Sequence, residues 1–448
     1  MEKYFKLEKP NLDKMDRERV MDLFFKTDGQ SVRDFVDRMN DPEYLYWDKM
    51  QYKQPAPQEL NREELWFMVK TIRQFKSIKT VIKNETGEYF TWIKSKDLER
   101  FYHEIDMSTG GELFTIKADY DKFTKQRLIS RGVMEEAIAS SQLEGANTSR
   151  AVAKKLLREG RKPKNASEQM IVNNYIAMNA LEEGYKNRQM DFNLVNELHG
   201  MITKSTLTPE GETPRMRKTG EDIYVVDNGD GKIYHKAPQM AFVKDELNKL
   251  ILFANDELKH DFIHPITKAI MLHFWMGYLH PFTDGNGRLA RLLFYWYLLK
   301  NEYWAFSYLP ISKTLKKAPA QYSMAYVYSE QDESDMTYFI DFNIRKIKLA
   351  VNDFKEYVDF LSVSNKEMNK ASETKYDLNE RQIQLLQYLH GDPEERTSLK
   401  MHMNVYQIAN KTAISDLKKL LALGLLSSKK VGRNVYYYAT EKIRELFK

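Results

Sequence analysis

Two apolar stretches joined by nine residues constrain this chain more than anything else in it. Residues 266–279 recur with helical spacing and put Ala269, Leu272, Trp275, Met276 and Leu279 on a core-facing surface. Residues 292–299 form the longest apolar run. That run is far short of the ~20 residues a membrane-crossing helix needs, so it reads as part of a buried helix. Between the two stretches stands His280-Pro281-Phe282-Thr283-Asp284-Gly285-Asn286-Gly287-Arg288. Pro281 disfavours helical geometry at His280, so the first helix ends there. Gly285 and Gly287 let the backbone turn tightly and bring its N–H groups near a ligand. A second helix then starts near Arg288. The pattern predicts two buried helices around a tight loop, in a mainly α chain.

The loop carries an electrostatic oddity. Helix N-termini have partial positive charge and favour acids, yet Arg288 and Arg291 fall in the expected first turn. Glycine N–H groups and two guanidinium forks together make an anion site, and so much positive charge calls for a polyvalent anion. Asp284 would oppose a phosphate by itself but makes sense as a ligand to Mg²⁺, which bridges carboxylate and phosphates. His280 at the loop's mouth can act as general base. His273 lies seven residues earlier, but no third ligand has the spacing of a zinc site. Base, metal ligand, N–H nest and paired arginines are the parts of phosphoryl-group chemistry.

Two further segments stand out. Residues 222–226 and 232–235 are β-prone runs around Asp227-Asn228-Gly229-Asp230-Gly231, which predicts a hairpin. Residues 132–144 read as a helix with Gly145 just past its end. Glu144 then occupies a last turn, where the helix dipole disfavours an acid.

HPFTDGNGRLAR matches the Fic motif, His-x-Phe-x-(Asp/Glu)-Gly-Asn-Gly-Arg-x-x-Arg, at every specified position. The chain therefore resembles Fic proteins over roughly residues 115–365. The resemblance implies an α-helical catalytic domain that transfers AMP from ATP to a Tyr, Ser or Thr hydroxyl of a protein, itself included. His280 is then the base and Asp284 the Mg²⁺ ligand. Asn286 with the Gly285 and Gly287 backbone holds the α-phosphate, Arg288 and Arg291 hold the β- and γ-phosphates, and Phe282 anchors the loop in the core. The hairpin corresponds to a flap that pins an extended target segment through Ile223, Tyr224 and Val225. Ser140-Ser141-Gln142-Leu143-Glu144-Gly145 resembles the family's inhibitory motif, (Ser/Thr)-x-x-x-Glu-(Gly/Asn), whose glutamate pairs with the second arginine, here Arg291. Some relatives transfer other phosphate-containing groups or remove AMP. Doc-type kinases usually carry lysine where this chain has Gly287, which favours AMP transfer.

The remaining chain frames that domain. Residues 1–115 mix helical and extended signals. They include a helix over 61–78 capped by Asn61, with Glu63 and Glu64 in its first turn, and a hairpin over 80–92 centred on Asn84-Glu85-Thr86-Gly87. Residues 366–377 read as a polar linker. Beyond it, helices over 378–389 and 412–425 precede two β-prone runs around Gly432-Arg433-Asn434, which resembles a winged helix. Residues 378–448 hold twelve Lys/Arg against seven Asp/Glu, and the other 377 residues hold 57 of each sign out of totals of 69 and 64. The whole excess of +5 is therefore C-terminal. It supports a second reading, a nucleic-acid-binding regulator with Lys418, Lys419, Lys429, Lys430 and Arg433 facing phosphates. There are no cysteines, which removes disulfides, thiolate zinc sites and a cysteine nucleophile. The first residues lack the apolar core of a signal peptide, so the expected location is the cytoplasm, with no membrane partner. A homo-oligomer is compatible with the sequence.

Overall fold

The computed structural model describes residues 4–13, 15–26, 29–109, 122–208, 211–227, 229–390, 396–431 and 434–444. The chain is mainly helical, and its described residues include two two-stranded hairpins and one three-stranded sheet. It divides into two compact units. The first comprises Met1–Gly111, Ala180–Trp304 and Leu315–Lys346, and the second Glu112–Asn179, Ala305–Thr314 and Ile347–Lys448. This division does not follow the expected boundaries at 115, 365 and 377.

The first unit is built round the helix pair read from the sequence. The entry helix, Pro265–Leu279, is buried at every position except Pro265 and Gly277. The exit helix, Asn286–Lys300, is buried at every position except Gly287 and Lys300. A helix apolar on all sides is stable only when surrounded, and both supply large core side chains, Trp275 and Trp296 among them.

Residues near the N-terminus join this unit instead of forming a domain of their own. The Arg62–Lys76 helix starts at Asn61 with a capping box, Asn61 and Glu64 each bonding the other's backbone N–H. Its Arg73 is buried, lies 3.9 Å from the Tyr44 ring centroid and donates to Tyr338 at 2.6 Å. Tyr44 donates to Asp335 at 2.6 Å. The strands Ile78–Lys83 and Tyr89–Trp92 form the expected hairpin.

In the second unit, the helix Lys122–Leu143 begins ten residues before Gly132. Gly132 is there because a Cβ would meet the backbone of Ser307 and Tyr308 at 2.6–2.8 Å. The helix ends as the sequence predicts. Gly145 has φ +90°, its N–H bonds Gln142 O, and Ala146 N–H bonds Ser141 O, a Schellman closure that leaves Glu144 exposed in the turn. The 366–377 segment is not a linker throughout: one helix runs from Thr337 to Lys375. Polarity was a poor guide because the hydrogen bonds of a helix run within its own backbone whatever the side chains are.

The C-terminal residues run helix Glu380–His390, strand Thr397–Ser398, helix Leu399–Tyr406, helix Asn410–Ala422, then strands Leu426–Val431 and Asn434–Ala439. The last strand lies between the other two, antiparallel to both. The Leu399–Tyr406 helix and the short strand were not read from the sequence. This group packs on the end of the Arg150–Glu159 helix, where Asn404 donates to Arg158 O at 3.3 Å and Tyr436 to Glu159 at 3.1 Å.

Candidate active site

The loop between entry and exit helices is held from within and from one side. Phe282 is buried and stacks on His199 at 3.7 Å between centroids. The Asn286 side chain closes the loop on itself. Its Oδ1 accepts from Phe282 N–H at 2.9 Å and its Nδ2 donates to Phe282 O at 2.8 Å. The amide expected to face a phosphate is thus engaged in shaping the loop. From the side, residues 215–217 run antiparallel to it: Thr283 N–H bonds Arg215 O at 2.8 Å and Arg217 N–H bonds Pro281 O at 2.9 Å.

Gly285 is required twice over. Its φ is +87°, and an added Cβ would sit 2.8 Å from Thr203 Cγ2. It is also the N-cap of the exit helix, which has no side-chain cap and no acid in its first turn. That helix starts two residues earlier than read from the sequence, so Arg291 lies in the second turn. An uncapped positive end beside two glycines is the setting an anion needs.

Arg288 is buried, donating to Ile202 O at 2.8 Å and to Asp284 Oδ2 at 3.0 Å. Asp284 is one-third exposed, and its other oxygen accepts from Gly285 N–H at 2.7 Å. Each carboxylate oxygen therefore has one donor and a remaining lone pair. That fits an ion such as Mg²⁺, which takes one or two carboxylates and completes its shell with phosphates and water. Among the described residues, no group of three or more His, Asp or Glu could hold a metal. Arg291 is buried near His273 and Tyr326, and its charge acts on both.

His280 ends the entry helix in the left-handed region, φ +47° and ψ +54°. Its Nδ1 lies 3.1 Å from Gly277 O. A carbonyl only accepts, so Nδ1 carries the proton and the basic nitrogen of the neutral ring is Nε2. His273 does not share this surface. It is buried against Tyr322 at 2.7 Å, and burial, then Arg291, holds it neutral far below the usual histidine range. His199 donates from Nε2 to Asp284 O at 2.9 Å and is likewise held neutral by burial.

The expected hairpin forms between Tyr224–Val226 and Ile233–Lys236. Ile223 precedes the strand, and its carbonyl accepts from Ala237 N–H at 3.0 Å. Tyr4 bridges Ile233 on the far side of the second strand, so among the described residues Tyr224–Val226 is the edge strand. Val225 and Val226 are exposed on it.

Residues 189–298 match the model of the Fic/DOC family. The chain carries a Fic domain. It is similar to protein adenylyltransferase fic-1 of Caenorhabditis elegans, 38% identical over 82 residues, which is 18% of this chain and 14% of that protein. It is similar too to protein adenylyltransferase Fic of Nematostella vectensis, 46% identical over 52 residues, 11% of this chain and 12% of that one. The matched segments thus span about one seventh of these relatives or less. A solved Fic family protein from Desulfovibrio desulfuricans aligns with 77% of this chain and 95% of its own at a TM-score of 0.45 and 16% identity.

His199, Arg215, Arg217 and His235 support the Fic loop but were not read from the sequence. No local pattern marks them, since each acts on backbone atoms far away in the chain. Among the C-terminal lysines, Lys419 bonds Asp377, while Lys418, Lys429 and Lys430 are exposed. Arg433 lies outside the described residues. Among the described residues no helix is long and apolar enough to cross a membrane.

Proposed function

We propose that this chain is a protein adenylyltransferase that moves AMP from ATP to a hydroxyl side chain of a target protein. The observation that carries the reading is the 3.1 Å approach of His280 Nδ1 to Gly277 O: a carbonyl only accepts, so Nδ1 carries the proton and Nε2 is the nitrogen that can take one. In this reading Nε2 removes the hydroxyl proton, and the oxygen bonds to the α-phosphorus as the bond to pyrophosphate breaks. The uncapped N-terminus of the exit helix, with Gly285 and Gly287, receives the phosphates. Asp284 would hold Mg²⁺, which when bound would supply positive charge to offset that on the leaving phosphates. In this reading Arg288 acts by orienting Asp284, and Arg291 binds the terminal phosphates. An edge strand at Tyr224–Val226 supports docking of an extended target segment by strand addition. Glu144 is inhibitory in this reading, which rests on its motif and on its exposed place in a turn whose dipole repels an acid.

The test is incubation with α-labelled and γ-labelled ATP in separate reactions, with His280→Ala alongside. Protein-bound label from the α position alone, lost on the order of 100-fold in His280→Ala, is the expected result. Label from the γ position would mean a kinase. Near-normal labelling by His280→Ala would remove the base.

A further inference from the structure

The last three carbonyls of the entry helix have no donor within the helix, and they carry the negative end of its dipole. Each is met by a side chain. Gly277 O takes His280 Nδ1 at 3.1 Å, Tyr278 O takes His235 Nε2 at 2.9 Å, and Leu279 O takes Arg217 Nη2 at 3.1 Å. Two of these side chains come from outside the loop, and His235 lies on the second strand of the flap hairpin.

His235 is buried and has a second partner, Glu330 Oε2, 2.7 Å from Nδ1. Glu330 belongs to the helix Pro319–Gln331. A carboxylate and a carbonyl both only accept, so both ring nitrogens carry hydrogen and the ring is an imidazolium. The other groups facing it are the Tyr278 ring at 5.5 Å, the His280 ring at 6.2 Å, and Arg217, whose charge opposes it.

We infer that His235 is a positioning residue: as an imidazolium it ties the flap and Glu330 to the Tyr278 carbonyl, and so fixes the turn that presents His280. This rests on the reading of His280 as the base. A neutral ring has one N–H and must aim a lone pair at either Glu330 or Tyr278 O, so losing the proton loosens the clamp. Burial favours the neutral ring, but the Glu330 carboxylate outweighs it, and the proton is held above the ordinary value of 6.5. The sign follows. The clamp is fully formed below pH 6.5 and is lost as pH rises through the higher, folded-state value.

The experiment follows the imidazole resonances of the full ¹⁵N-histidine-labelled chain through a pH titration, beside pH–rate profiles of AMP transfer. It compares wild type, Glu330→Gln and His235→Gln. In wild type, His235 should titrate above 6.5, and the His280 resonances should move with it. Glu330→Gln should lower that midpoint and shift the alkaline fall in kcat downward by the same amount. His235→Gln should lower kcat roughly 10- to 100-fold, leave ATP affinity within about threefold, and lack that alkaline fall. A neutral His235 at pH 6.5, an alkaline limb unmoved by Glu330→Gln, or His280 resonances indifferent to His235 would overturn the inference. A fully active His280→Ala would instead sink the base reading, with the titration still deciding whether the clamp exists.

Discussion

Asn286 offers a direct measure of how much of the site is loop architecture. Replacing it by Ala removes the acceptor of Phe282 N–H and the donor to Phe282 O, both at a residue that is 1% exposed. A buried backbone group left unsatisfied costs about 1–3 kcal/mol. Two groups, with some relief from water entering the vacated space, give about 2–4 kcal/mol of local destabilisation. At 1.4 kcal/mol per factor of ten, that is roughly 30- to 700-fold more frequent opening of the loop. The assay is native-state hydrogen exchange at Thr283 and Arg217, whose own acceptors, Arg215 O and Pro281 O, are untouched by the substitution. AMP transfer should fall roughly 100-fold, since His280 depends on the same backbone. Asn286→Asp sharpens the test. It keeps the acceptor and nearly the shape but turns a second oxygen toward Phe282 O, so it should do nearly as much harm as Ala. If both variants exchange at Thr283 and Arg217 as wild type does and transfer AMP within threefold of it, the loop is not held this way.

Asp284→Ala should weaken Mg²⁺-dependent nucleotide binding and lower turnover together, and it also strips buried Arg288 of its counter-ion. An unchanged Mg²⁺ titration would show that the carboxylate only serves Arg288. Replacing Ile223, Tyr224 and Val225 with glycine should impair target modification and spare ATP affinity, because glycine loosens the edge strand that pairs with the target. Equal loss of ATP affinity, read by calorimetry, would assign the segment to the nucleotide pocket. Glu144→Gly should raise AMP transfer, seen first as self-modification with α-labelled ATP, and adding Arg291→Ala should abolish the gain. A folded Glu144→Gly chain no more active than wild type would make Glu144 a surface residue.

The sequence by itself determined whatever depends on neighbours along the chain. Apolar spacing fixed the entry and exit helices, since a helix apolar on all sides has no other stable setting. Pro281 ended the entry helix, Asn61 and Gly145 set their helix ends, and Gly-bearing turns marked three hairpins, all through local backbone geometry. The nine loop residues are the ground of the proposed chemistry, because His, Asp, Gly and Arg at that spacing suit phosphates. Tertiary structure decided what these groups do to one another. Arg288 is buried between Asp284 and the carbonyl of Ile202, far earlier in the chain, and Asn286 bonds Phe282 instead of facing outward. Burial of His273 and the left-handed turn at His280 are likewise outcomes of packing. His199, Arg217 and His235 were illegible for the same reason. Each meets a backbone group or a ring 43 to 85 residues away, and a histidine or arginine signals nothing until folding has brought its partner to it.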